Sequence, residues 1–180
     1  MRIIAGSRKS RKIKSLDNLN TRPTLDKVKE ACFSKMGSQV HNARFLDLFA
    51  GSGNIGLEAL SRGAQHCDFV EGSQVALKII KENIDNLAFK DQTSIYHMDA
   101  FQACRYFKNK GFIYDIVYCD PPYQKIMLDK ILVNLFEISD KNTLIIFESN
   151  ESIEIINDPF VLEKSVHYGS VYLHYIRRKE

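Results

Sequence analysis

From Arg44 onward the chain alternates short apolar runs with stretches of helical periodicity, and few folds accommodate that rhythm. The runs at 44–49, 67–71, 94–98, 113–119 and 144–148 read as strands, separated by helical patterns at 54–62, 74–87, 101–108 and 128–136. Strands and helices alternating at this length build right-handed βαβ units, so the predicted fold is α/β with a mainly parallel sheet. Gly63 stands where the first of those helices would end. At the end of the chain the rhythm changes. Residues 160–166 and 171–176 read as two strands around Tyr168-Gly169-Ser170, an antiparallel hairpin at the sheet edge. No apolar run exceeds four residues, far below the roughly 18 that a membrane-spanning helix needs.

Two motifs sit at strand ends, where an α/β sheet does its chemistry. The first is Asp47-Leu-Phe-Ala50-Gly51-Ser52-Gly53-Asn-Ile-Gly56, a GxGxxG that leaves a strand and opens a helix. Glycines let the backbone turn tightly and approach a ligand, and the helix start offers free N–H groups. Glu71 ends the next strand, twenty residues after Gly51, where a carboxylate can take both hydroxyls of a ribose. Together they predict a nucleoside cofactor. Asp47 helps to choose which: an acid just before the turn would repel a dinucleotide pyrophosphate but suits the cationic groups of S-adenosyl-L-methionine. Asp99-Ala100, closing the third strand, lies where the adenine amino group of such a cofactor would fall.

The second motif is Asp120-Pro121-Pro122-Tyr123, directly after the strand that ends at Cys119. An exocyclic base amine is a poor nucleophile, because its lone pair is delocalised into the ring. An Asp oxygen and a proline carbonyl accepting its two N–H bonds would draw it toward a nucleophilic, tetrahedral geometry. Consecutive prolines fix the backbone so that a carbonyl faces the site, and Tyr123 offers a flat face for an extruded base.

The charge is uneven. Residues 1–36 carry ten Lys/Arg against three acids, net +7, whereas residues 37–180 are net −4. Arg2, Arg8, Lys9, Arg11, Lys12 and Lys14 precede any acid, and Ile3, Ile4 and Ile13 flank them, so a short basic hairpin held to the body is predicted. Pro23 then starts an extended approach to a helix from Thr24 to about Gly37, with Thr24 as its cap, Asp26 in its first turn and Leu25, Val28, Cys32 and Met36 on one stripe. A polyanion partner follows from the basic element, with Arg22 and Lys27 adding to it. RNA, DNA and acidic membranes all remain open as that partner, and two parts result: a basic extension at 1–40, RNA-binding on the family resemblance given below, and a catalytic domain at 41–180. Cysteines at 32, 67, 104 and 119 form no CxxC, and the five histidines show no ligand spacing. Neither metal nor disulfides are predicted. Arg2 directly after Met1 argues against a secretory signal, which leaves a reducing cytoplasm.

With both motifs in place, the sequence resembles class I S-adenosylmethionine-dependent methyltransferases, and among them the bacterial RsmD family, which methylates guanine N2 in 16S rRNA. The resemblance rests on the stretch from Arg2 to Lys12, on Arg22-Pro-Thr-Leu-Asp-Lys-Val-Lys-Glu, Leu46-Asp-Leu-Phe-Ala-Gly-Ser-Gly, Leu57-Glu-Ala-Leu-Ser-Arg-Gly-Ala, Phe69-Val-Glu, Asp120-Pro-Pro-Tyr and Tyr168-Gly. It implies a Rossmann-like, seven-stranded sheet with a reversed final strand. It also implies a cofactor held by Asp47, Gly51, Gly53, Glu71 and Asp99, a guanine held by Asp120 to Tyr123, and a monomer acting on 16S rRNA in a 30S subunit or assembly intermediate. Ser73 departs from the acid or amide that many relatives carry two places after the strand-end glutamate. Three rivals stay open on the residues: a nicotinamide oxidoreductase, which leaves the proline motif unexplained; a silent RNA-binding module, which leaves both motifs unexplained; and a DNA adenine-N6 or other exocyclic-amine methyltransferase.

Overall fold

The computed structural model describes residues 1–16, 23–122, 128–155 and 159–179, with 23–25 described by backbone alone. Five strands, β1 (Arg44–Asp47), β2 (His66–Glu71), β3 (Thr93–His97), β4 (Ile116–Cys119) and β5 (Leu144–Ser149), run parallel, joined by the predicted crossovers. Two longer strands, β6 (Phe160–Tyr168) and β7 (Val171–Arg178), complete a seven-stranded sheet in the order β3-β2-β1-β4-β5-β7-β6. β7 is antiparallel to both neighbours, with Glu148 opposite Leu173 and His167 opposite Tyr172. The terminal hairpin therefore joins through β7 and leaves β6 as the edge.

The inner parallel strands β1, β2, β4 and β5 bury both faces, as a helix-covered parallel sheet must. Phe45, Phe69 and Ile146 meet Val28 and Cys32 of α1 (Pro23–Met36), Leu57 of α2 (Asn54–Ser61) and Ile80 of α3 (Gln74–Leu87). Leu46, Val117 and Ile145 point the other way, onto Ala103 and Phe107 of α4 (Ala100–Asn109) and Ile131 and Leu135 of α5 (Leu128–Leu135). Gly63, at φ +100°, ends α2 as expected. Several boundaries move by one to three residues, and three of the shifts have a visible cause. α1 starts at Pro23 itself, which suits a first helical position because no N–H is needed there. β1 stops at Asp47 because the Leu48 and Ala50 amides donate to Tyr118 and Val70 of the flanking strands, pinning the glycine turn across both. β4 starts at Ile116, because the Tyr114 amide donates to Ile138 instead of pairing in the sheet.

The predicted basic hairpin is a closed loop with a single antiparallel bridge, Arg2 to Lys12. The Ile3 and Ile13 amides close it by donating to the Arg11 and Met1 carbonyls, and others leave it: Ile4 and Ala5 donate to the Glu58 carboxylate (2.8 and 3.0 Å) and Ser7 to the Ser61 carbonyl (2.7 Å). Ile3 and Ile13 anchor it in the core. Among the described residues no helix is long and apolar enough to cross a membrane, and no cluster of His, Cys, Asp or Glu could hold a metal ion. All four cysteines are buried thiols.

Candidate active site

β1 is where the sheet changes direction: the chain proceeds to β2 and β3 on one side and returns to β4 on the other. In open α/β sheets the crevice at such a point, beyond the carboxyl ends of the strands, receives the ligand. The glycine turn lies there. Gly51 (φ +54°) and Gly53 (φ +79°) supply left-handed backbone. Gly56 has a different task, since a Cβ on it would sit 2.4 Å from the Phe69 ring, so its absence lets α2 lie flat on β2. Glu71 is oriented by two amides, with Gly51 donating to one oxygen and Ser73 to the other, both at 2.8 Å. Ser73 also caps α3, accepting from the Ala76 amide.

Asp47 is 2% exposed and accepts the Gly56 amide at 3.0 Å. Burial pushes its pKa up to about 7; the Gly56 amide opposes that rise and the Glu71 charge adds to it. Across a cleft of about 220 Å³ stand Asp120, just past β4, and Glu148 of β5, which accepts the Tyr118 hydroxyl; Met1 and Lys29 close another wall. Asp120 is raised by desolvation, by Glu148 and by Asp47. Desolvation of the carboxyl group leads that rise and the two like charges add to it. Glu148 is raised by burial. Three carboxylates thus line a cleft with one lysine, and Lys29 is already committed to the Arg2 carbonyl (2.6 Å), Asn54 Oδ1 (2.8 Å) and Glu58 (3.2 Å). A cationic ligand fits this imbalance, because its charge would favour the ionised form of every acid there. Pro121 is buried and Pro122 exposed, while Tyr123 lies outside the described residues.

Ala50, Ser52 and Gly53 are buried in the turn. Further along the same sheet end, one oxygen of Asp99 accepts the Phe101 and Gln102 amides (both 2.9 Å) and caps α4, and Ala100 is buried behind it. The basic residues divide. Arg8 donates to the Leu87 carbonyl (2.7 Å) and Arg11 to that of Asn86 (3.0 Å), both at the end of α3; Arg2 pairs with Asp26 and Lys14 with Glu82. The Lys9, Lys12 and Lys27 side chains point to solvent with no ion pair among the described residues, and Arg22 lies outside them. Sequence reasoning passed over Glu148, which looks like an ordinary strand end. It also passed over Lys29, Glu58 and Asn83, three buried polar groups. For Glu58 a signal existed, an acid inside the apolar stretch Leu57 to Leu60.

This strand order, with the reversed β7 and a glycine turn after β1, defines the Rossmann-like class I methyltransferase fold. The chain belongs to the family described as "Conserved hypothetical protein 95", the RsmD family, whose model matches residues 1–177. It is 34% identical over 157 residues to the ribosomal RNA small subunit methyltransferase D of Buchnera aphidicola, covering 86% of this chain and 80% of that one. Among solved structures, yhhF from Escherichia coli superposes with a TM-score of 0.86 at 28% identity, over 99% of this chain and 98% of that one. SMU.776, solved in complex with S-adenosylhomocysteine, shares the fold at a TM-score of 0.70 and 15% identity, over 89% of this chain and 51% of that one.

Proposed function

We propose that the protein transfers a methyl group from S-adenosyl-L-methionine to the exocyclic N2 of a guanine in 16S rRNA, on a 30S subunit or assembly intermediate in the cytoplasm. One observation carries this reading: Asp120 and Asp47 face the same cleft, one from the proline motif and the other from the glycine turn. Family membership and the ribosomal RNA methyltransferase relatives support it.

When bound, the cofactor supplies an electrophilic methyl group on a cationic sulfonium. Asp47, Ala50, Gly51, Ser52 and Gly53 would hold its amino-acid end, Glu71 its ribose, and Asp99 and Ala100 its adenine. Glu71 keeps outward lone pairs for hydroxyl donors, because only one amide occupies each oxygen. Asp120 and the Pro121 carbonyl accept the two N–H bonds of the guanine amine and aim its lone pair at the methyl, and much of the rate comes from that positioning. Pro122 would help fix the backbone that presents that carbonyl, and Tyr123 would stack on the extruded base. As the N–C bond forms, the nitrogen gives up one proton, and Asp120, held above the usual carboxylate range, is a competent acceptor.

The test is transfer of labelled methyl to small-subunit rRNA and partly assembled 30S particles, with duplex DNA as control and the product nucleoside identified by mass spectrometry. N2-methylguanosine is expected; label confined to DNA adenine overturns the substrate. Asp120→Ala should lower transfer by roughly 10²-fold or more, with S-adenosylhomocysteine affinity within a few-fold of wild type. Lost cofactor binding instead would overturn the role of Asp120.

A further inference from the structure

The N-terminal loop is fastened to the glycine turn from both of its ends. Arg2 and Lys14 lie on the two arms at the base of the loop, where Arg2 bridges Lys12 and the Ile13 amide donates to the Met1 carbonyl. Asn83 of α3, 1% exposed, takes hold of one end. Its Oδ1 accepts the Lys14 amide (2.7 Å), while its NH₂ group donates to the Lys14 carbonyl and to the Ser52 carbonyl, both at 3.0 Å. Lys29 of α1, 2% exposed, takes hold of the other, spanning the Arg2 carbonyl and Asn54 Oδ1. Ser52 and Asn54 are the two neighbours of Gly53. The turn that faces the cofactor is thus tied, one residue to each side of its central glycine, to the two strands of the loop that carries the basic cluster.

Each tie costs a buried polar side chain its water, which is tolerable only while every bond is kept. Neither end can move alone, because a shift of Lys14 or Arg2 leaves a buried amide or ammonium without its partners. Met1, at the loop's start, also lines the cleft that holds Asp47 and Asp120. On the reading that the turn holds the cofactor and the loop grips RNA, we propose that Asn83 and Lys29 are positioning residues that make the two ligands bind cooperatively. Ordering of the turn by one ligand orders the loop for the other, so the second has less freedom left to lose. Such a coupling is reciprocal, since each ligand must tighten the other by the same factor.

The experiment measures S-adenosylhomocysteine affinity with and without saturating protein-free 16S rRNA, and RNA affinity with and without S-adenosylhomocysteine. Wild type should show the same gain, roughly fivefold or more, in both directions. In Asn83→Ala and in Lys29→Met the factor should fall toward one, each variant being compared with its own affinity for S-adenosylhomocysteine alone and with its folding followed by circular dichroism; Asn83→Ala, which lies outside the cleft, should keep that affinity near wild type. In the wild-type protein, S-adenosylhomocysteine without RNA should also slow hydrogen exchange at the Ile4, Ala5 and Lys14 amides, which needs no variant to fold. Tight but independent binding of the two ligands to wild type overturns the proposal and leaves the functional reading standing. So does full coupling in both variants. Failure of wild type to bind S-adenosylhomocysteine, or to bind either protein-free 16S rRNA or partly assembled 30S particles, overturns the functional reading itself.

Discussion

Asp47 ends β1 inside the protein, where ionisation has to be supported by one backbone amide against the full cost of desolvation. Its carboxyl group therefore titrates at about 7 in the folded chain, against a reference of 3.8. Between those two values the folded protein binds more protons than the unfolded chain, so its stability falls as pH rises through that window and levels off above about pH 7. The loss is on the order of 4 kcal/mol for a shift of that size. Asp47→Asn keeps an oxygen for the Gly56 amide and has no proton to lose. Urea unfolding of the ligand-free variant between pH 4 and 7 should show a markedly shallower fall in stability than wild type. An unchanged slope would assign the pH dependence to other groups, Asp120 and Glu148 first.

At the scale of elements, the N-terminal loop is a docked part of the body rather than a charged tail. Glu58 and Ser61 on α2 receive its backbone, and Gly6, at φ +84°, lies so close to α2 that a Cβ would stand 1.8 Å from the Ser61 carbonyl oxygen. Within the loop, two arginines, Arg8 half-buried and Arg11 exposed, donate to the carbonyls that end α3, where positive charge is favoured, and two lysines point to solvent. The consequence can be measured. Lys9→Ala with Lys12→Ala should lower the slope of log affinity for RNA against log salt by about 0.7–0.9 per lost phosphate contact, with an unchanged melting temperature. Arg8→Ala with Arg11→Ala should instead lower the melting temperature and leave the salt slope nearer wild type. The reverse pattern would show the arginines to be the phosphate ligands. The sequence marks the loop as basic and its isoleucines as anchors, but which cations face inward depends on where α3 ends in space. Periodicity along the chain carries no trace of that. The same limit hides Asn83 and Lys29, whose partners are 69 and 27 positions away. The strand–helix alternation and the glycine and proline motifs are legible because they are local: each follows from spacing within a few residues.

At the scale of the whole molecule, the reversal of strand order beside β1 brings motifs 73 positions apart, Asp47 and Asp120, into one cleft; Glu71 lies at the same end of the sheet. This arrangement discriminates between nucleoside cofactors by charge. Dinucleotides bring a pyrophosphate to the glycine turn, where Asp47 sits behind the backbone and Asp120 and Glu148 face it across the cleft. Three acids around one committed lysine repel such a group and attract an ammonium. S-adenosylhomocysteine carries that ammonium, so it should bind the folded chain and stabilise it by mass action. At a hundredfold excess over its Kd the gain is about 2.7 kcal/mol. For a domain of this size that raises the melting temperature by roughly 5–10 °C. NAD at the same concentration should leave the melting temperature where it was. The contrast should weaken in Asp47→Asn, because the variant no longer offers a charge to the ammonium. A shift with NAD equal to that with S-adenosylhomocysteine would mean that Glu71 and the glycines alone select the ligand, and that the acids around the cleft have some other task.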